Sequence, residues 1–177
     1  MAGSSQSLRS VALLRGINVG TAKAVSMADL ADVFESLGAT GVKTVLRSGN
    51  VVFEGSLDPM AIEHAVFDAT AVRSSVIVID AHSFRRIADA DPLLDTATNG
   101  SRSFVTFLSE PHGALELPTP QSLHPERLAV GDDAIYQWFP DGSQQTKVPK
   151  SFWKQFSGHV TARNRNTVDT LLDLLEN

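Results

Sequence analysis

Val11 to Leu14 is an unbroken apolar run closed by Arg15, the pattern of a central strand buried on both faces. Ser26 stands three residues before Asp29, and Leu30, Val33, Phe34 and Leu37 follow at helical spacing before Gly38. That combination predicts a capped helix with one apolar face and a glycine stop. The stretch "VKTVLRSGNVVFEG" holds two β-rich runs either side of Ser48 and Gly49, which predicts a tight hairpin. Asp58 and Pro59 suit the cap and first turn of a second helix, with Ile62, Ala65, Val66 and Ala69 on its buried side. "SVIVID" reads as a further strand. The order strand, helix, strand, strand, helix, strand is the split βαβ, or ferredoxin-like, arrangement.

The second half repeats this order less clearly. His82 to Ala90 reads as a connecting helix that stops near Asp91, because Pro92 disfavours helical geometry in the residue before it. "DTATNGSRS" is rich in turn formers and marks a boundary. "SFVTFL" is a strand, and Ser109 to Pro125 carries four prolines, so mostly ordered loop is expected there. Arg127–Val130 and Ala134–Phe139 form a hairpin about Gly131, Asp132 and Asp133. Lys150 to Phe156 predicts a helix and "HVTA" a last strand. In the final helix Val168, Leu171, Leu172 and Leu175 make an apolar stripe, with Asn166 as the expected cap. The fold class predicted is α+β: two tandem ferredoxin-like (βαββαβ, α/β plait) domains with a C-terminal helix. Its expected divisions are a disordered tail over 1–10, a first domain over 11–80, a connecting helix and linker over 81–100, and a second domain over 101–177.

Composition narrows the chemistry. A chain of 177 residues that is 42% hydrophobic can bury a sizeable core. Its longest aliphatic runs are far shorter than the roughly 20 residues that cross a bilayer, and "MAGSSQSLRS" lacks the apolar stretch of a signal peptide. A cytoplasmic protein with no membrane partner is expected. The absence of cysteine excludes disulfides, thiolate nucleophiles and thiolate metal sites. A net charge of -5 argues against a generally nucleic-acid-coated protein. Residues 142–168 nevertheless hold Lys147, Lys150, Lys154, Arg163 and Arg165 and no Asp or Glu, which keeps nucleic-acid binding as an alternative.

Three short stretches, "LLRGINVG", "SGNVVF" and "TARNRNTV", occur in that order. Together they resemble the DUF1697 family of uncharacterised bacterial proteins, whose members carry "ALLRGINVG", "QSGNVVF" and "TARNWNTV". The resemblance runs from Val11 to Leu175, with Arg47 in place of the usual glutamine and Arg165 in place of the usual tryptophan. It implies a tandem ferredoxin-like fold and carries over no activity.

Function must then be argued from the residues. Gly16 and Gly20 allow close backbone approach, so the loop after Arg15 can present N–H groups to an anion, with Asn18 and Lys23 beside it. Neither nucleotide-binding glycine fingerprint is present. Arg163, Asn166 and their neighbours precede a helix start, a second place suited to phosphate or carboxylate. The candidate ligand-binding residues are therefore Arg15, Asn18, Lys23, Arg163 and Asn166, with Arg47, Ser48, Asn50, Asn164 and Arg165 as secondary candidates. Taking the first and third strands as parallel puts the Arg15 loop and the Ser48–Asn50 hairpin at opposite ends of the sheet, so the turn at Arg163 is expected to dock on the Arg15 loop. Tyr136 and Trp138 alternate onto one face, where core packing explains them better than base stacking.

The five histidines show no metal-ligand spacing, and neither metal nor cofactor is expected. The sequence reads best as a binder of a phosphate-bearing small molecule. A metal-free enzyme acting on a phosphorylated metabolite and a ligand-free interaction module stay open, as does the oligomeric state.

Overall fold

A computed structural model describes residues 8–20 and 24–177. The first half runs β1 (Arg9–Arg15), α1 (Met27–Ser36), β2 (Thr40–Val45), β3 (Asn50–Glu54), α2 (Pro59–Thr70) and β4 (Ser75–Asp80), followed by α3 (Ala81–Asp89). The second half runs β5 (Ser103–Leu108), α4 (Pro120–Leu123), β6 (Arg127–Val130), β7 (Ala134–Trp138), α5 (Lys150–Trp153), β8 (Val160–Asn164) and α6 (Arg165–Glu176). It is an α+β chain with two four-stranded antiparallel sheets, ordered β2-β3-β1-β4 and β6-β7-β5-β8. The tail expected over 1–10 is shorter at its inner end, because Arg9 and Ser10 pair with Glu54 and Phe53 in β3. Residues 1–7 lie outside the described residues.

Contacts divide the chain into two compact units, one running to Phe84 and including Leu171–Asn177, the other spanning Arg85–Thr170. The boundaries therefore fall inside α3 and α6, whereas the sequence pattern placed all of the last helix in the second domain.

In the first unit, local chemistry follows the pattern. The Ser26 hydroxyl accepts from the N–H of Asp29 at 2.9 Å, and the Asp58 carboxylate accepts from the N–H of Ala61 at 3.0 Å. Each satisfies an otherwise unpaired helix donor, at α1 and α2 respectively. Leu30, Val33 and Phe34 of α1 and Ile62 and Val66 of α2 close over Ala12, Leu14, Val51 and Phe53. Val11 and Leu13, on the opposite face of β1, are also fully buried, so this strand meets no solvent between its ends.

One expectation about direction fails. β1 pairs antiparallel with both β3 and β4, with Leu13 opposite Asn50 and Arg15 opposite Ser75. β1 and β2, joined through α1, run the same way, and the hairpin turns β3 against both. The loop after Arg15 and the hairpin entering β3 therefore share one end of the sheet.

The second unit has the same strand order but much less helix. α4 and α5 are four residues each, so the helix expected over Lys150–Phe156 stops at Trp153. Rings replace helix surface: Phe152 is almost fully buried and meets Trp153 at 4.9 Å and Phe156 at 5.6 Å between centroids. The proline-rich segment is mostly extended loop, held where the Glu116 N–H donates to Gln155 Oε1 at 2.8 Å and Gln155 Nε2 donates back to the Glu116 carbonyl at 3.1 Å. Tyr136 is buried and donates its hydroxyl to the Ile87 carbonyl at 2.7 Å, with burial pushing its pKa up to about 12. It is a core residue and offers no face to a base.

Asn164, and not Asn166, caps α6. Its Oδ1 accepts from the N–H and hydroxyl of Thr167 at 3.0 and 2.9 Å. The helix begins at Arg165, two residues earlier than a cap at Asn166 would place it, which moves Asn166 inside the first turn.

Candidate functional site

Antiparallel pairing brings "LLRGINVG" and "LRSGN" together at one end of the first unit. β1 delivers Arg15 to the surface, and the chain then turns back: Gly16 sits at φ 90 and Ile17 is 2% exposed, inside the core cluster. Ile17 is thus an anchor. Opposite it, Gly49 sits at φ 88, where an added Cβ would lie 2.6 Å from Ile17 Cδ1 and 3.0 Å from Leu14 Cβ. Only glycine fits that crossing, since any side chain meets both hard contact and left-handed backbone. The Gly49 carbonyl accepts from the Leu14 N–H at 2.8 Å.

Asn18 ties the loops to each other. At φ 53, it donates from Nδ2 to the carbonyls of Val25 at 3.0 Å and Arg47 at 2.8 Å, and its Oδ1 accepts from the Val25 N–H at 2.8 Å. Asn50 is fully buried and donates to the Val45 carbonyl at 2.8 Å and the Ser48 hydroxyl at 3.1 Å. These two asparagines brace the loops, mainly through bonds to backbone groups.

What faces outward differs in kind. Arg15, Arg47 and Ser48 are exposed, as is Arg73 in the α2–β4 loop, whose carbonyl lies 3.5 Å from where a Gly16 Cβ would stand. The Arg73 guanidinium lies over the Phe67 ring at 4.6 Å. Residues 15–20, 46–50 and 71–75 carry these three arginines and no carboxylate. The acids on the adjoining helices are Asp29, Asp32 and Glu35 of α1 and Asp68 of α2, all exposed, and Glu63 of α2, whose carboxylate accepts from the Val76 N–H at 2.8 Å. Arg73 escaped the sequence reading. The signal for it was the direction of β4: a strand antiparallel to β1 must start where β1 ends. Lys23 lies outside the described residues.

The third motif belongs to the second unit, and there arginine is used differently. Arg163 is half-buried opposite Val105, donates to the Ala162 carbonyl at 2.9 Å, and has its pKa lowered to about 10 by burial. Arg165 donates to Asp169 Oδ1 at 2.7 Å and to the Ala88 carbonyl at 2.8 Å. Asn166 is exposed, packed so closely on Gly100 that a Cβ there would fall 2.1 Å from its Oδ1. The five cations of 142–168 therefore do not stand together as one exposed stripe.

Among the described residues, no group of three or more His, Asp or Glu is placed to hold a metal ion. No helix among them is long and apolar enough to cross a membrane. A family model described as "Protein of unknown function (DUF1697)" matches residues 8–136, which includes the first two motifs and ends before "TARNRNTV". The chain is also similar to the solved structure of the conserved bacterial protein SP0830 from Streptococcus pneumoniae. The two are 24% identical, the match covers 95% of this chain and 98% of that one, and the TM-score is 0.67. At that identity the likeness bears on the fold alone. No curated protein matches.

Proposed function

The chain belongs to the DUF1697 family of proteins of unknown function, and from that premise we propose that it binds an anionic, phosphate-bearing small ligand at the loop end of its first unit. The carrying observation is the Asn18 bond to the Arg47 carbonyl, which joins two arginine-bearing loops into one braced surface. Arg15 and Arg47 would contact the ligand, Ser48 would add a hydroxyl donor, and Arg73 would raise the local potential. Guanidinium forks suit phosphate and carboxylate oxygens, and glycine-rich backbone lets such an anion approach.

The same reading takes both units as ferredoxin-like plaits, supported by the repeated strand order β2-β3-β1-β4 and β6-β7-β5-β8, and takes the protein as cytoplasmic. Relative to the sequence reading, the site is narrowed. Asn18 and Asn50 become bracing residues, and Arg163, Asn164, Arg165 and Asn166 become parts of the second unit's scaffold.

The test is a thermal-shift series with inorganic phosphate, pyrophosphate and simple carboxylates on the wild type, Arg15→Gln/Arg47→Gln and Arg163→Gln. An anion at about one hundred times its dissociation constant adds roughly 2.7 kcal/mol. The expected outcome is a shift in the wild type and Arg163→Gln that the double variant lacks. A shift abolished by Arg163→Gln and kept by the double variant would move the site to the second unit, and no shift in any protein would remove the proposal.

A further inference from the structure

We infer that the loop end of the first unit docks on an anionic lipid surface, with Val19 and Leu46 entering the interface and the arginines lying against lipid phosphates. This rests on the anion-binding reading above, names the source of the anion, and replaces the expectation of no membrane partner with peripheral docking. Val19 and Leu46 are each 59% exposed, and each adjoins one partner of the Asn18–Arg47 bond. Phe67, 38% exposed, adds an aromatic edge beneath Arg73 at the same end. Exposed aliphatics flanked by guanidiniums are what an anionic bilayer surface accepts: phosphates above, acyl chain ends of the interface below.

Leu46 carries the argument furthest. It sits at φ 58, a conformation that costs a leucine and suits glycine or asparagine. Leucine there carries backbone strain and stays mostly exposed, so folding gains little from it. A residue kept strained and apolar at the tip of an arginine-bearing turn gains its advantage when something apolar covers it. Nucleic acid is the poorer occupant, because a phosphodiester backbone leaves two aliphatic side chains uncovered and Phe67 is the one exposed ring near this end among the described residues. The net charge of -5 repels the rest of the chain from an anionic surface, which orients the approach so that this end leads.

The experiment is co-sedimentation of the full chain with vesicles of phosphatidylcholine and of phosphatidylcholine mixed with phosphatidylglycerol, beside the phosphate thermal shift. Variants are Leu46→Asn, Arg47→Gln and Arg163→Gln. Expected is binding to the mixed vesicles only, weakened about fivefold by Arg47→Gln, about tenfold by Leu46→Asn, and unchanged in Arg163→Gln. Leu46→Asn should unfold at the same temperature as the wild type or higher, which separates lost docking from lost fold. Phosphate shifts without vesicle binding would overturn the lipid surface and leave the anion site standing. Vesicle binding indifferent to Leu46→Asn would overturn the insertion, and tighter binding to a short oligonucleotide than to vesicles would assign the surface to nucleic acid. Absence of both vesicle binding and phosphate shift would remove both readings.

Discussion

The first and third motifs use the same residue types to opposite ends. At the loop end of the first unit the asparagines turn inward and the arginines outward: Asn18 and Asn50 bond backbone carbonyls while Arg15 and Arg47 stay exposed. At the start of α6 the arginines turn inward, Arg163 desolvated and Arg165 bonded to Ala88 and Asp169, while Asn166 faces out. An arginine beside a glycine or a helix start is therefore no evidence of a binding site until its surroundings are known. The arginines at α6 are partly buried in the second unit, and Arg15 and Arg47 stand at the surface of loops that asparagines brace.

Four substitutions and one titration sharpen that contrast. The largest effect is expected at Gly49, where Gly49→Ala forces both left-handed backbone and contact with Ile17. Together these should cost about 2–4 kcal/mol in urea unfolding. Asn18→Ala removes two bonds that close its own loop on Val25 and the one bond to the Arg47 carbonyl that joins the loops; it should cost about 1–3 kcal/mol, with anion binding weakened because the arginines lose their brace. Asn164→Ala should cost about 1 kcal/mol through the lost cap. Asn166→Ala, by contrast, should change stability by less than about 0.5 kcal/mol, and equal effects at 164 and 166 would show that the cap has been misplaced.

A smaller, pH-dependent effect is expected at His112. Its ring nitrogens face the carbonyls of Gly113 at 2.8 Å and Gly131 at 2.9 Å, and only the doubly protonated imidazolium can donate to both. These two carbonyls, with Asp132 and Asp133 nearby, raise its pKa above the ordinary histidine value. The folded form then binds the proton more tightly than the unfolded chain does. Its contribution to stability is full below the unfolded pKa of about 6.5 and lost as pH rises through the higher folded value. A urea midpoint followed across that window should fall with pH in the wild type and flatten in His112→Gln.

Much of the fold could be read along the chain because it depends on neighbours in sequence. The caps at Ser26 and Asp58, the hairpin about Gly131–Asp133 and the strand order of elements follow from local spacing. Strand direction did not, because the β2–β3 hairpin reverses β3 relative to β1 and so decides which loops share an end. Nor could the fate of α6 be read: its stripe is continuous, yet Leu171–Asn177 joins the first unit. At the site, Arg15 and Arg47 were visible as charges beside glycines. The bracing by Asn18 was not visible, since its Arg47 partner lies 29 residues away.

The central claim is that anions bind at the loop end of the first unit, and a ¹H–¹⁵N NMR titration with pyrophosphate tests it most directly. Saturable shifts concentrated in the amides of Arg15–Gly20, Leu46–Asn50 and Arg73–Ser75, with those of Arg163–Thr167 unmoved, are the predicted result. Shifts confined to Arg163–Thr167, or none that saturate, would contradict it.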